Sequence, residues 1–465
     1  MIRFFNTLSG KDEGFESLIP GEIRIYTCGP TVYDFPHIGN MRAYIFEDLL
    51  KRFLRFMNYR VTHVMNITDV DDKTIRGANA QRVSLHDYTQ QFIDAFFEDI
   101  RILNILPADF YPRATEHIPE MVKIIKALLE KGYAYERAGS VYFSIDKFPK
   151  YGRLSKIDLQ ERKIGARVDV DEYEKESVHD FALWKNHKEG EPFWETEIGK
   201  GRPGWHIECS AMSAKYLGQP FDIHCGGVDN IFPHHENEIA QSEASSGKKF
   251  VNYWLHCHHL VVDGEKMSKS LGNFFTLQDL LQKKIDAPTL RFLLLSTHYR
   301  KMLNFTLDAV EQSRAALQRL KDFVYELENR PFQEGAGADV DKLIEEARKN
   351  FIEGLSDDLN ISTALAAIFE LVRKANILLG QDKLAAGDAR TLLGLIHDFD
   401  AVLGVLRSDK EPDLSPEIQK KIEERENARR EKKYALADKI RKELLDMGIL
   451  LEDTKEGVRW KITKK

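Results

Sequence analysis

Cysteine is scarce in this chain, with four residues among 465. A secreted domain that depends on disulfide bonds carries cysteine at a much higher density, so a disulfide-stabilised scaffold is excluded. Glycine and proline are also modest, at 29 and 15 residues, which excludes a collagen-like or low-complexity chain. The few thiols are therefore candidates for core packing or for metal binding.

Long apolar runs are absent as well. No stretch approaches the roughly 18 apolar residues that a membrane-spanning helix needs. The first residues, MIRFFNTLSGKDEG, lack the long apolar core of a secretory signal. We therefore expect a cytoplasmic protein with no membrane partner, and we expect a monomer.

An excess of positive charge is the third missing feature. The net charge is −7, so bulk charge does not indicate nucleic acid, and any such contact needs a local basic patch. Hydrophobic residues make up 43% and charged residues 30%, which allows a large core under a polar surface. At roughly 150 residues per domain, this length allows about three domains and favours an enzyme over a small binding module.

The N-terminal part of the chain carries the pattern of a β-α-β unit. Residues 22–28, EIRIYTC, alternate in polarity and end at a Gly-Pro turn, which is typical of a buried strand. Residues 41–59 predict an amphipathic helix, and the β-branched residues 60–68, RVTHVMNIT, predict a second strand. This order favours an α/β fold with a doubly wound, parallel, Rossmann-like sheet.

The middle of the chain interrupts this alternation. Residues 133–145 predict a hairpin, and the charged stretch 146–180 indicates an insertion between two halves of the sheet, which we place at about residues 105–180. Alternating strands and helices are expected to resume at FALWK, residues 181–185. One further strand is predicted over YWLHCHHLVVDG, residues 253–264.

Helical periodicity dominates the rest of the chain. Helices are predicted over residues 308–329, 341–354, 359–379 and 388–405. The tail from Ser415 contains 15 Lys/Arg and 11 Asp/Glu, so its net charge is +4 while the preceding residues carry −11. We therefore predict three domains: a catalytic domain over 1–305, a helical bundle over 306–405 and a small basic α+β module over 406–465.

Two short motifs suit a polyphosphate ligand. PHIGN, residues 36–40, lies where a strand turns into a helix, and a helix N-terminus offers free N–H groups and partial positive charge. Gly39 would let a ligand approach the backbone, and His37 can donate to a phosphate oxygen. In KMSKS, Lys266 and Lys269 flank small residues and could stabilise charge on a polyphosphate. On one α/β sheet, the two motifs would face one nucleotide from opposite sides.

Another group of residues has the chemistry of a metal site. His234 and Glu238 lie four apart in PHHENE and share one face of a helix, whereas His235 points about 100° away. Cys28 ends a strand at the sheet edge where α/β proteins bind ligands. Two thiolates, an imidazole and a carboxylate would make a tetrahedral zinc site, but spacing alone does not select two of the four cysteines. The metalloprotease motif HExxH is excluded, because no second histidine follows His235-Glu236 at the required spacing.

Together these motifs resemble the HIGH and KMSKS signatures of class I aminoacyl-tRNA synthetases. The first departs from the family pattern at Asn40, where a second histidine is usual, so we expect a reduced or altered phosphate contact there. Gly226-Gly227-Val228-Asp229 resembles the family's ribose-binding turn. Over nearly its whole length the chain is most similar to the cysteinyl-tRNA synthetase family, in the segments TCGPTVYDFPHIGN, NITDVDDK, GARVDV, GRPGWHIECSAMS, FPHHENEIAQSEA and EKMSKSLGNFFT.

The resemblance implies a full set of site residues. It implies one zinc ion on Cys28, Cys209, His234 and Glu238. It implies catalytic phosphate contacts by His37, Lys266 and Lys269, with further ATP contacts by Gly39, Asn40, Gly227 and Asp229 and with Mg²⁺ accompanying ATP. It also implies an amino-acid pocket that includes Thr68, Trp205 and His224. Where the family usually has three glycines after FDIH, this chain has Cys225, which would put another thiol close to the ion.

Zinc has a physical rationale in this family. Cysteine and serine differ by a single atom, which is sulfur in one and oxygen in the other. A pocket that distinguishes substrates by shape alone separates such similar side chains only about 10- to 200-fold. Zinc is a borderline-soft ion that prefers thiolate to hydroxyl and lowers the pKa of a bound thiol. We therefore interpret the expected ion as a device for selecting the substrate sulfur.

The implied reaction is ATP-dependent ligation of L-cysteine to the 3′-terminal ribose of tRNA(Cys). The helical bundle and the basic tail would bind the tRNA, with candidate contacts at Arg429, Arg430, Lys432, Lys433, Arg441, Lys442 and Trp460. Two alternatives stay open: a paralogous zinc-dependent ligase that transfers cysteine to a small amine, and a non-catalytic RNA-binding relative of the synthetases. The basic tail disfavours the first alternative, and the intact KMSKS motif disfavours the second.

Overall fold

The computed structural model describes residues 1–157, 180–268, 271–334, 340–406, 416–430, 433–446, 449–454 and 457–462. The chain divides into two compact units, Met1–Leu406 and Arg407–Lys465. None of the described helices is both long and apolar enough to span a membrane. The predicted domain boundaries at residues 305 and 405 stay predictions.

A four-stranded parallel sheet forms the centre of the first unit. Its strands are β3 (Glu22–Thr27), β4 (Arg60–Met65), β10 (Phe221–Gly227) and β11 (Val251–Cys257), in the spatial order β11-β10-β3-β4. The chain leaves β3, forms helix α1 (Ile38–Phe56) and returns to β4, so the predicted β-α-β unit is confirmed. The doubly wound α/β class is confirmed with it.

Both faces of this sheet are covered, because neighbouring strand residues point to opposite sides. Ile25 and Leu255 belong to one apolar core, which continues across α1 into the later helices. Tyr26 and Trp254, their immediate neighbours, belong to a second core. That second core is closed by α4 (Ile118–Glu130), α5 (Trp205–Leu217) and α6 (Glu236–Ser246), so each face of the sheet packs on its own set of helices.

A five-stranded antiparallel sheet interrupts the parallel one. The predicted hairpin is confirmed as β5 (Ala134–Arg137) and β6 (Ser140–Phe143). FALWK forms a strand, β7 (Phe181–Asn186), but it pairs antiparallel with β6 and two more strands follow before the next helix, so the prediction that strands and helices alternate again from this point is wrong. Strands β9 (Gly199–Pro203) and β8 (Trp194–Thr196) complete the sheet in the order β5-β6-β7-β9-β8, and α5 follows directly.

The predicted strand over residues 253–264 is two strands. β11 ends at Cys257, and β12 (Leu260–Val262) leaves the central sheet to pair with β13 (Glu265–Lys266) and β14 (Leu303–Phe305). An apolar run cannot show where a chain passes from one sheet to another, which is why the sequence pattern merged them. Because β12 and β13 belong to this second sheet, the KMSKS segment begins on it and not on the central sheet.

The remaining elements of the first unit are mostly helical. The predicted helices after residue 305 are confirmed as α9 (Leu307–Asn329), α10 (Asp341–Ser356), α11 (Ile361–Gly380) and α12 (Ala386–Leu403). The others are β1 (Arg3–Asn6), β2 (Lys11–Gly14), α2 (Asp72–Gln81), α3 (Leu85–Ile102), α7 (Leu277–Gln282) and α8 (Ala287–Ser296).

The second unit is small and of α+β type, as predicted. Helices α13 (Pro416–Arg430) and α14 (Tyr434–Asp446) precede an antiparallel hairpin of β15 (Ile449–Thr454) and β16 (Gly457–Ile462). Its core contains Ile440, Leu444, Ile449 and Leu451.

Candidate active site

A cavity of about 400 Å³ opens at the carboxyl ends of the parallel strands, where open α/β sheets bind their ligands. Cys28 follows β3, Gly227 ends β10 and Cys257 ends β11, and all of them line this cavity. The N-terminus of α1 forms another part of its wall. The sheet edge therefore brings the predicted phosphate motif and the first predicted metal ligand into one space.

The PHIGN segment caps helix α1 in a reciprocal arrangement. The Nδ1 atom of His37 accepts a hydrogen bond from the Gly39 N–H group at 3.1 Å, and the Asn40 Oδ1 atom accepts from the His37 N–H group at 3.2 Å. Burial lowers the pKa of His37, which favours the neutral ring. Because Nδ1 is an acceptor, the ring proton is assigned to Nε2. Asn40 uses its carbonyl oxygen for the cap, which leaves its amide group as the possible donor to a ligand.

Two glycines, Gly39 and Gly227, stand where neighbouring side chains approach the backbone closely at the cavity. A Cβ atom added at Gly39 would lie 2.9 Å from Met267 Cε and 2.8 Å from His37 Cε1. A Cβ atom at Gly227, across the cavity, would lie 2.4 Å from Asp229 Oδ1. Larger residues at these two positions would displace the groups that line the nucleotide end of the cavity.

All described members of the predicted ATP set line this one cavity: His37, Gly39, Asn40, Gly227, Asp229 and Lys266. Lys266 is exposed on β13, and its carbonyl oxygen accepts from the Asn273 amide at 3.3 Å. The Asn273 Oδ1 atom accepts from the Ser268 N–H group at 2.8 Å, so one side chain holds the first and third residues of the motif. Lys269 lies outside the described residues.

The predicted metal ligands converge beside this cavity. Their donor atoms, from Cys28, Cys209, His234 and Glu238, all lie within 4.8 Å of one another. Cys209 Sγ is 3.5 Å from His234 Nε2, which is 3.1 Å from Glu238 Oε1. A tetrahedral zinc site with bonds of about 2.0–2.3 Å places its donors about 3.3–3.8 Å apart. The separations of 3.5 and 3.1 Å are therefore close to those that such an ion requires.

The chemistry of these donors also fits a cation. Glu238 is fully buried and its Oε1 atom has no hydrogen-bond partner among the described residues. Burial raises the pKa of Glu238 to about 8 and lowers the pKa of His234 to about 3. Burial also raises the pKa of the Cys28 and Cys209 thiols. The unpaired carboxylate oxygen of Glu238 lies beside two thiols and an imidazole. A divalent ion bound among these groups would give that oxygen the partner it lacks.

The prediction that His235 points away from this cluster is wrong. Its Nε2 atom lies 3.2 Å from Cys28 Sγ, and Cys28, His224, His235 and Glu238 form a second set of donors within 4.8 Å. His235 lies in the kinked turn Ile231–His235, and Cys28 approaches from the side that its ring faces. The offset of about 100° between His235 and His234 on the helix therefore does not keep the His235 ring out of the site.

Cys225 does not join either donor set among the residues that the structure describes. Its side chain belongs to the apolar core on the α1 face, with Ile25 and Leu255. Strand alternation places its neighbour His224 on the opposite face, where His224 Nε2 lies 3.0 Å from Glu238 Oε2.

The predicted amino-acid pocket residues surround the cluster at different depths. Trp205 is 39% exposed and stacks on His234, with ring centroids 4.4 Å apart. His224 is fully buried and stacks on Trp254 at 4.5 Å. Thr68 is buried and donates to Glu208 Oε2 at 2.9 Å, one residue before Cys209.

Several residues near the cluster were missed in the sequence. His206 Nδ1 lies 2.9 Å from His234 Nδ1, so it helps to aim His234 Nε2 at Cys209 and Glu238. His256 contacts His235, with a ring nitrogen distance of 2.8 Å. The sequence offered two indications of these residues: His206 lies close to Cys209 in GWHIEC, and WLHCHH contains three histidines. Periodicity alone cannot assign such histidines to a site.

The predicted tRNA contacts are only partly described. Arg429 lies on α13, Lys433 lies just before α14, and Arg441 and Lys442 lie on α14. The backbones of Arg430 and Trp460 lie on α13 and β16, and Lys432 lies outside the described residues. These contacts stay predictions.

Comparisons with known proteins find matches over nearly the whole chain. Residues 14–315 match the catalytic domain of class I (C) tRNA synthetases, residues 350–407 match a DALR domain, and residues 411–460 match the cysteinyl-tRNA ligase anticodon binding domain. The cysteine–tRNA ligase of Protochlamydia amoebophila is 50% identical over 99% of this chain and 98% of its own length. That of Solibacter usitatus is 51% identical over 99% of each chain.

Solved structures show the same fold at low identity. The Mycobacterium tuberculosis methionyl-tRNA synthetase in complex with methionyl-adenylate superposes with a TM-score of 0.59 and 16% identity, over 83% of this chain and 90% of that one. At such identity the likeness shows the fold alone. The match to the catalytic-domain model and the near-complete overlap with relatives at half identity show that the chain belongs to the cysteine–tRNA ligase family of class I tRNA synthetases.

Proposed function

We propose that this protein activates L-cysteine with ATP and transfers the cysteinyl group to the 3′-terminal ribose of tRNA(Cys). The observation that carries this proposal is the position of Cys28. Its thiol belongs to the donor cluster, and the same residue lines the cavity that holds the nucleotide motifs. A substrate sulfur at the cluster and an ATP phosphate at the α1 terminus would therefore meet in one space.

The nucleotide end would work through fixed donors. The start of α1 lines the cavity and brings the positive end of the helix dipole to it, while its first N–H groups are already bonded within the protein, Ile38 to the Phe275 carbonyl and Gly39 to His37 Nδ1. His37, as a neutral ring, would donate its Nε2–H to a phosphate oxygen. Asp229 would accept from ribose hydroxyls, and Lys266 with Lys269 would stabilise charge on the departing pyrophosphate, with Mg²⁺ accompanying ATP.

The amino-acid end would select sulfur. We propose zinc as the ion, because two thiolates, an imidazole and a carboxylate are its usual ligands. When bound, zinc would hold the substrate sulfur as a thiolate in preference to a hydroxyl. Trp205 and His224 would close the sides of the pocket, and Thr68, held by Glu208, would contact the amino group.

Two transfers complete the reaction. The cysteine carboxylate attacks the α-phosphate of ATP, which releases pyrophosphate, and a ribose hydroxyl of the tRNA then attacks the acyl carbon, which releases AMP. No protein nucleophile is needed, so the residues act by positioning and charge stabilisation. The match of residues 411–460 to an anticodon binding domain supports tRNA over a small amine as the acceptor.

Two assays test the proposal with the full-length protein. Cysteine-dependent ATP–pyrophosphate exchange is expected, and its absence would support a non-catalytic RNA-binding protein. Charging of total tRNA with cysteine is also expected, and exchange without charging would support transfer to a small amine. Metal analysis of the purified protein should give one zinc ion per chain.

A further inference from the structure

A chain of three hydrogen bonds runs from the N-terminal hairpin to the Cys28 sulfur. Cys28 Sγ lies 3.2 Å from His235 Nε2, His235 Nδ1 lies 2.8 Å from His256 Nε2, and His256 Nδ1 lies 2.8 Å from Thr7 Oγ1. Thr7 follows β1, and its N–H group is fixed by the Trp254 carbonyl at 2.9 Å. Both imidazoles are buried, with 0% and 4% of their surfaces exposed.

The thiolate at one end gives this chain of hydrogen bonds its direction. A metal-binding Cys28 is a thiolate, which can only accept, so His235 Nε2 must carry the proton. The Nδ1 atom of a neutral His235 then accepts from His256 Nε2–H, and His256 Nδ1 accepts from the Thr7 hydroxyl. The thiolate therefore fixes the direction of the chain, and the Thr7 hydroxyl completes it by donating to His256 Nδ1.

Charge explains why such a donor would matter. Two thiolates and one carboxylate carry three negative charges, one more than a divalent cation neutralises, and a substrate thiolate would add a fourth. The cluster is buried, since Cys209 is 1% and Glu238 0% exposed, and uncompensated buried charge is costly. An N–H group that donates to the Cys28 thiolate spreads part of this charge.

We infer that Thr7, His256 and His235 form a positioning relay that holds an N–H donor on the Cys28 sulfur and so allows an already anionic metal cluster to accept the substrate thiolate. The inference rests on the proposed function, because it assumes that the cluster binds a metal and that the substrate binds through sulfur. None of the three residues needs to touch the substrate. Outer partners of this kind commonly change metal affinity about 10- to 100-fold.

The test uses the full-length protein loaded with cobalt(II), whose sulfur-to-metal charge-transfer band reports on the thiolates. His256→Leu removes the donor to His235, whereas His256→Gln keeps an amide N–H at a similar reach. We expect His256→Leu to shift the band to lower energy and to weaken cobalt(II) binding about 10- to 100-fold. His256→Gln should stay close to the wild type in both measurements.

A second pair of variants tests the far end of the relay. Thr7→Val removes the hydroxyl with little change in volume, and Thr7→Ser restores it. Thr7→Val should produce a smaller shift in the same direction, with a higher KM for cysteine and an unchanged KM for ATP. Thr7→Ser should reverse these changes, which a loss of packing alone would not explain.

The outcomes separate this inference from the proposed function. A wild-type protein that binds neither cobalt(II) nor zinc would overturn both. A wild-type protein with a thiolate charge-transfer band that neither His256 variant alters would overturn the relay and leave the proposed function intact. Equal losses in His256→Leu and His256→Gln would also overturn it, because they would show that the ring acts by shape. Circular dichroism and ATP binding confirm that each variant is folded.

Discussion

The two ends of the cavity are built from different parts of the chain. The cluster end gathers side chains from separate segments, namely the partly buried Cys28 after β3 and the buried Cys209, His234 and Glu238 of α5 and the start of α6. The nucleotide end uses two short continuous motifs, in which His37, Gly39 and Asn40 are partly exposed and Lys266 is exposed. Recognition of sulfur is thus a property of the tertiary core, whereas recognition of phosphate is largely local.

This difference implies that the two functions can be lost separately. A change at the cluster should remove selection of cysteine while ATP still binds. A change at the motifs should slow adenylate formation while the metal stays bound. The following variants test this separation, in order of decreasing expected effect.

Cys209→Ser should have the largest effect, because it removes a buried thiolate from the cluster. Cysteine-dependent pyrophosphate exchange should fall by about a thousandfold or more, and residual preference for cysteine over serine should drop to about 10- to 200-fold. ATP binding, measured by calorimetry, should be retained. Cys257→Ser is the control, since Cys257 is buried but belongs to neither donor set among the described residues, so it should keep the metal. Equal loss of ATP binding in Cys209→Ser would indicate a merely structural metal.

Lys269→Ala should have the next largest effect, at the opposite end. Loss of a cation that stabilises the departing pyrophosphate should slow adenylate formation about 100- to 1000-fold. Zinc content should not change. Lys269→Arg keeps the charge and should recover part of the rate. Exchange at the wild-type rate in Lys269→Ala would exclude this role.

Removal of residues 407–465 should separate tRNA binding from both ends of the cavity. These residues form their own compact unit and match an anticodon binding domain from residue 411. Charging should weaken about 10- to 100-fold through loss of phosphate contacts, while pyrophosphate exchange stays within about twofold. Unchanged charging would contradict the assignment of the tail.

Gly39→Ala should have a moderate effect that is confined to the nucleotide. The added Cβ would lie 2.9 Å from Met267 Cε and 2.8 Å from His37 Cε1, so the His37 ring must move. A displaced ring should raise the KM for ATP about tenfold, with little change for cysteine. Gly394→Ala is the matched control, because a Cβ there meets nothing within 4 Å. A parallel rise in the KM for cysteine would mean that the two ends are coupled.

Asp99→Asn should have the smallest effect, on stability alone. Burial raises the pKa of Asp99 from 3.8 to about 7, so between these values the folded protein keeps a proton that the unfolded chain releases. The free energy of unfolding should therefore fall as pH rises across this window and level off above it. In Asp99→Asn this contribution disappears, and urea titrations at several pH values should show a flatter profile. An identical slope in both proteins would show that Asp99 ionises normally.

The local features of the nucleotide end are those that sequence reasoning reached most directly. A strand, a glycine-bearing turn and an amphipathic helix predict both the β-α-β unit and the place of His37 at the helix start. The helical offset also paired His234 with Glu238, and their nitrogen and oxygen atoms lie 3.1 Å apart. Such features depend on residues only a few positions apart.

The cluster end depended on contacts that spacing cannot reveal. Neither Cys28 nor Cys209 could be distinguished from the other cysteines by local pattern, and only the family resemblance selected them. His235 was misjudged because Cys28 approaches from the side that its ring faces, at 3.2 Å, which the helical offset from His234 cannot reveal. Thr7 carries no motif at all, and only the packing of the N-terminal hairpin beside β11 brings it to His256. Strand alternation would, however, have placed Cys225 opposite His224 from the sequence alone.

Glu236 gives the helix at the metal cluster a second attachment. Its carboxylate accepts from the backbone N–H groups of Gly152, Leu154 and Ser155 at 2.8–3.0 Å. Glu236 lies between His234 and Glu238 in sequence. The same helical turn therefore contributes two donors to the cluster, from His234 and Glu238, and binds the loop at 152–155 through Glu236. An ion bound at the cluster would stiffen this turn and, through the three hydrogen bonds of Glu236, the loop at 152–155 as well. Removal of the ion by a chelator should therefore make this loop easier for a protease to cut.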